Sequence, residues 1–136
     1  MKDFQRVLFL CTGNSCRSQM AEALVNARFS AWQAFSAGVR PSGYVHPMAL
    51  RVLRELGIEH RGESKSADQF RNQAFDLVIT VCDEANEECP VWLGKGARKH
   101  QSFRDPAKAQ GTDEECLAIF RLVRDEIAAV LPQLMG

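Results

Sequence analysis

Val7-Leu8-Phe9-Leu10-Cys11-Thr12-Gly13-Asn14-Ser15-Cys16-Arg17-Ser18-Gln19-Met20-Ala21-Glu22-Ala23 carries a β-type apolar run, a polar turn and the start of a helical pattern in immediate succession. Residues 6–10 are almost wholly apolar, as in a strand covered on both faces. Met20, Ala23, Leu24 and Ala27 then recur at helical spacing and share one face. Strand, tight loop and helix start are the parts from which a parallel sheet is assembled.

The remaining chain repeats the alternation. Residues 34–37 suit a second strand. His46-Pro47 opens a helix with Ala49, Val52, Leu53 and Leu56 on one face, and Gly57 ends it. Residues 77–81 are a third, continuously apolar strand, and a fourth is expected over 99–103. Phe120, Val123, Ile127, Val130 and Leu131 mark a final helix that Pro132 is expected to stop. The expectation is a three-layer α/β/α fold with a small, four-stranded parallel sheet, residues 1–136 forming one domain. Ligands bind such sheets beyond the carboxyl ends of the strands. Cys11, Cys82 and Asp105 each follow a predicted strand end. Adjacent strands lie about 4.8 Å apart, so one rim gathers all three.

Composition narrows the function. The 136 residues include 17 basic and 17 acidic side chains, for a net charge of zero. That argues against nucleic-acid or polybasic membrane binding and is compatible with a soluble monomer. The apolar run at 7–11 is shorter than the core of a signal peptide, so a cytoplasmic protein with reduced thiols is expected. The five cysteines, at 11, 16, 82, 89 and 116, are an odd set with no secreted disulfide framework.

Residues 11–17 read Cys-x5-Arg. A loop between a buried strand and a helix start aims several backbone N–H groups at one point, and Gly13 permits the tight turn. Thr12, Gly13, Asn14, Ser15, Cys16, Arg17 and Ser18 are therefore the candidate oxyanion-binding residues. Arg17 supplies a planar fork for a tetrahedral anion. The same positive field is expected to lower the Cys11 pKa and make it a thiolate nucleophile. The plain alternative is a buried strand-end cysteine before a solvated helix. A nucleotide-binding P-loop is disfavoured, because no Gly-Lys-Ser/Thr follows.

Together with Ser36-Ala37-Gly38, Asp105-Pro106 and residues 120–127, this stretch resembles the low-molecular-weight tyrosine phosphatase superfamily, closest to its thioredoxin-coupled arsenate reductase branch. The resemblance runs from about residue 6 to 131. It implies Cys11 attack on arsenate, Arg17 holding the oxyanion and Asp105 protonating the departing oxygen. It also implies a relay in which Cys82 and then Cys89 carry the disulfide outward to thioredoxin, with no tightly bound cofactor. Some resembling reductases bind potassium; Asn14, Glu22 and Ser36 match that site, while Ser64-Lys65-Ser66 stands where its acidic residue is expected. Ala107 and Lys108 replace the aromatic residues that usually follow Asp-Pro in the tyrosine phosphatases, which disfavours aryl phosphate as the natural substrate. The alternative function is phosphate monoester hydrolysis through a Cys11 phosphoenzyme.

Cys82 and Cys89 carry the discrimination, since hydrolysis needs no second thiol whereas oxyanion reduction needs two electrons. A zinc site built from Cys11, Cys16, Cys82 and Cys89 is disfavoured, because six residues separate the last two. Lys95, Arg98, Lys99, Arg104 and Lys108 form a basic stretch around Asp105, read mainly as solvated surface. His46, His60 and His100 lack ligand spacing, Trp92 is assigned to packing or a partner face, and Cys116 is read as structural. If residues 82–89 are helical, the cysteines are separated by about 10 Å of rise, beyond the ~7 Å Cα limit of a disulfide. Glu87 and Glu88 near the helix C-terminus weaken such a helix, so oxidation is expected to unwind it. Hydrogen exchange over 82–89 should therefore accelerate in the oxidised protein; equal protection in both redox states would count against it.

Overall fold

The computed structural model describes residues 4–83 and 96–135. Four strands, β1 (Gln5–Cys11), β2 (Trp32–Gly38), β3 (Leu77–Thr80) and β4 (Ala97–His100), form one parallel sheet in the order β2-β1-β3-β4. The helices are α1 (Arg17–Arg28), α2 (Pro47–Arg54) and α3 (Asp113–Met135), with 3₁₀ turns at Ala67–Phe70 and Pro106–Lys108. The α/β class and four-stranded parallel sheet agree with the sequence expectation. β1 lies between β2 and β3, so successive connections leave it in opposite directions. The switch point falls at its carboxyl end, where Cys11 stands.

The two-residue period of β1 feeds two cores. Val7, Phe9 and Cys11 join Met20 and Leu24 of α1, Val52 and Leu53 of α2, and Phe120 and Ile127 of α3. Leu8 and Leu10 face the other way, toward Phe70, Phe75 and Val78. The Arg6 guanidinium lies 4.7 Å from the ring centres of both Phe35 and Phe75. Each fully buried large apolar side chain contributes about 1.5–3 kcal/mol, so a one-residue slip of β1 would empty both cores at once.

α1 departs from a one-faced helix. Residues 17–25 are all buried, polar ones included, because the sheet, α2 and α3 enclose its first three-quarters. Ala27, expected on the apolar face, is exposed where the helix emerges, and Val25 is buried instead. Asn26 ties that end to the sheet: its Nδ2 donates to Ala34 O and its Oδ1 accepts from Ala34 N. α2 begins at Pro47, with His46 Nδ1 accepting from Met48 N. It ends at Arg54, before the expected stop; Gly57 (φ +78°) closes the turn that follows, where Gly57 N and Ile58 N donate to Arg54 O and Leu53 O.

Pro132 does not stop α3, which continues to Met135. The proline ring is exposed, so the carbonyl it leaves without a helical donor can turn to water. Buried Leu131 and Met135 hold the last turn in the core, and Lys99 Nζ donates to Leu134 O at 3.1 Å. β4 lies slightly earlier than expected: all four of its residues are exposed, so pairing with β3 defines it without an apolar pattern.

The end of β2 positions the loop after β1. Cys11 pairs with Gly38, and a Cβ on Gly38 would stand 2.5 Å from Thr12 O and 3.0 Å from Asn14 N. Both obstacles are backbone and cannot rotate away. Gly38→Ala should cost about 1–3 kcal/mol in urea unfolding and displace the loop. A variant as stable as the parent would show that the loop yields freely.

Candidate active site

The sequence places a tight turn between β1 and α1, and neighbouring segments fix its geometry. The carbonyl oxygens of Cys11, Thr12, Gly13 and Ser15 accept from the backbone N–H groups of Val39, Arg40, Ser42 and His46. Gly13 O also accepts from Ser64 Oγ. Asn14 O accepts from Gln19 Nε2 at 3.0 Å and Cys16 O from Met20 N at 2.9 Å. With their oxygens turned outward, residues 11–17 present N–H edges toward the mouth. The N-terminus of α1 adds its positive pole.

Asn14 supplies the bend. Its φ of +51° is the one positive value among the described non-glycine residues. Asparagine tolerates this conformation, and its side chain is tied at both ends. Nδ2 donates to Ser18 Oγ at 2.8 Å, and Oδ1 accepts from Lys65 N at 2.8 Å. Asn14 N points at Cys11 Sγ, 3.1 Å away, and Ser18 Oγ is 2.9 Å from the same sulfur. Because Ser18 Oγ accepts from Asn14, its hydrogen is free to face the sulfur.

Residues 11–17 line a cavity of about 300 Å³ with Asp105 and Lys108. Arg17 is buried; its Nη1 donates to Phe103 O at 3.3 Å, and its Nη2 is 3.8 Å from Asp105 Oδ2. Asp105 caps the following 3₁₀ turn by accepting from Ala107 N. The expected loop residues, Arg17 and Asp105 thus converge on one cavity. Lys108, assigned in sequence to the solvated basic stretch, joins them. The sequence marks His46 only as a helix entry. It also packs its ring on Phe120, with centroids 4.7 Å apart, and burial holds its pKa down against the pull of Asp105.

Electrostatics correct one expectation. Burial pushes the Cys11 thiol above its ordinary value, opposed by Ser18, Arg17 and the Asn14 N–H. The predicted depression counted those donors and omitted desolvation, which outweighs them. Cys16 goes up to about 12 for the same first reason, leaving it an unreactive part of the loop wall. Cys11, Cys16 and Cys116 are free thiols, whereas Cys82 is in a disulfide. Leu10 pairs with Thr80, so Cys82 leaves the sheet one residue beyond the position facing Cys11. Cys82 is completely buried. Cys89, Lys95, Trp92 and residues 84–89 of the predicted 82–89 helix lie outside the described residues, and Cys82 and Asp83 at its start are not helical. Cys116 is half-buried, with Sγ 3.5 Å from Ala109 O.

The three potassium-matched residues are drawn into hydrogen bonds of the chain itself. Asn14 Oδ1 already accepts from Lys65 N, and Ser36 Oγ donates to Glu22 Oε1 at 2.9 Å. The other Glu22 oxygen lies 3.6 Å from His60 Nε2. Burial pushes the Glu22 carboxyl up, opposed by Lys65 and Ser36.

Residues 6–136 match the family model of low molecular weight phosphotyrosine protein phosphatases, and the chain belongs to that family. Within it, the chain is 47% identical over 123 residues to an arsenate reductase of Halalkalibacterium halodurans, covering 89% of this chain and 88% of that one. An arsenate reductase of Bacillus subtilis is 43% identical over 124 residues, with the same coverage of each. Among solved structures, an arsenate reductase in its phosphate-binding state superposes with a TM-score of 0.75 at 28% identity over 96% of both chains.

Removing the Ser18 hydroxyl should raise the Cys11 pKa further, because that group pulls it down. A hydrogen bond to a charged sulfur is worth about 1.5 kcal/mol. Ser18→Ala should therefore slow iodoacetamide alkylation of Cys11 at pH 7 by roughly tenfold and shift its profile to higher pH. An unshifted profile would remove Ser18 from thiol activation.

Proposed function

We propose that the chain is an arsenate reductase, working as one domain over residues 1–136, as a monomer in the cytoplasm. Among the described residues, no helix is long and apolar enough to cross a membrane. The observation that carries the reading is a free thiol in an oxyanion loop beside a strand-end cysteine held in a disulfide. Hydrolysis needs the first; reduction needs both.

Arsenate enters the cavity with its oxygens toward the loop N–H groups and Arg17. The Cys11 thiolate attacks arsenic, and Asp105 protonates the oxygen that leaves as water. In the reduced protein, once a dithiol donor has opened the disulfide that holds Cys82, the Cys82 thiolate then attacks the Cys11 sulfur. A Cys11–Cys82 disulfide forms, the sulfur–arsenic bond breaks, and its electron pair leaves with arsenic as arsenite. Cys89 attacks Cys82 and frees Cys11, and a dithiol partner, thioredoxin, reduces the resulting pair. The bonds made by Asn14 and Ser18 toward the Cys11 sulfur favour its ionised form at the moment of attack, offsetting part of the burial.

Arsenate reduction coupled to thioredoxin should vanish in Cys82→Ser, while slow hydrolysis of an aryl phosphate largely survives. Equal loss of both activities would assign Cys82 to structure. Robust hydrolysis without reduction in the parent protein would favour the phosphatase reading.

A further inference from the structure

His60 carries no ligand spacing in the sequence, yet its side chain is only 7% exposed and meets two side chains of α1. Its Nε2 lies 2.7 Å from Gln19 Oε1 and 3.6 Å from Glu22 Oε2. The direction of the shorter contact follows from its neighbours. Gln19 Nε2 donates to Asn14 O at 3.0 Å and Glu63 O at 2.8 Å, so the amide oxygen must face His60. His60 Nε2 therefore carries the hydrogen and donates it.

A second observation isolates this bond. A Cβ on Gly62 would stand 2.2 Å from both Gln19 Oε1 and His60 Nε2. The chain thus passes directly over the contact, and only a residue without a side chain leaves it intact.

Beyond the bond lies the loop. Gln19 holds the Asn14 carbonyl, and the Asn14 N–H rests on Cys11 Sγ. The oxygens that resembling proteins would offer to potassium are here engaged by donors of the chain itself: Lys65 N on Asn14 Oδ1 and Ser36 Oγ on Glu22 Oε1. We propose that His60, seated by Gly62, is a positioning residue that braces the oxyanion loop through Gln19, so that this protein holds its loop in shape without a monovalent cation. The proposal rests on the reductase reading only in placing substrate at the loop. Its test uses inorganic phosphate and is indifferent to arsenate chemistry.

Phosphate affinity is measured by calorimetry on reduced protein, in potassium chloride and in choline chloride at equal ionic strength. The parent should bind equally in both salts. His60→Leu and Gly62→Ala should each weaken binding by roughly five- to tenfold. The double variant should be no worse than the weaker single, because both changes remove one bond. His60→Gln, which keeps an N–H donor, should recover much of the affinity. A purely structural role would lower the melting temperature and leave phosphate affinity unchanged in the folded variants, and that outcome overturns the proposal. So does tighter phosphate binding by the parent in potassium than in choline, a comparison that needs no variant to fold.

Discussion

Every backbone carbonyl from Cys11 to Cys16 is engaged by a donor outside the loop, and the chemistry of the site depends on that commitment. An anion can approach a peptide loop only along its N–H edge, so each oxygen must be held away by something else. The donors come from the chain after β2, from the entry to α2, from Ser64 and from α1 itself. Gly38 permits the arrangement, since its backbone occupies the space against which Thr12 and Asn14 rest. An anion entering the loop would thus meet groups oriented before it arrives.

The residues that make the loop were legible because their chemistry and spacing coincide with a strand-to-helix turn. The central strand was equally plain, its apolar run being continuous from Val7 to Leu10. The side chains that support the loop from behind were hidden for a physical reason. Gln19, Glu22 and His60 are polar residues that burial and mutual hydrogen bonding make structural, and a single sequence does not reveal who their partners are. His60 lies 41 positions from Gln19. Pro132 misled because a helix breaker is judged by local geometry, whereas tertiary packing of Leu131 and Met135 decided the outcome. The Cys11 pKa was misjudged because charge partners can be counted in a sequence and desolvation cannot.

The sheet also divides its labour. One face of β1 meets the three helices, while the other packs against a small aromatic cluster capped by the Arg6 guanidinium. Cys11 belongs to the helical face and is continuous with the larger core. Reactivity at its sulfur is therefore coupled to the packing of α1, and α1 is enclosed too completely to shift alone. Such rigidity would suit the proposed reaction, in which the Cys11 sulfur attacks along one line and is then met by Cys82 at the end of β3.

Burial of Cys11 has a further consequence for life in an oxidising setting. Peroxide attacks thiolates far faster than thiols, and it attacks them where it can reach. The Cys11 sulfur, 2% exposed, presents little surface to such oxidants, whereas Cys116 stands half-exposed on α3. The enclosure that positions the Cys11 sulfur thus also limits what can reach it from solvent.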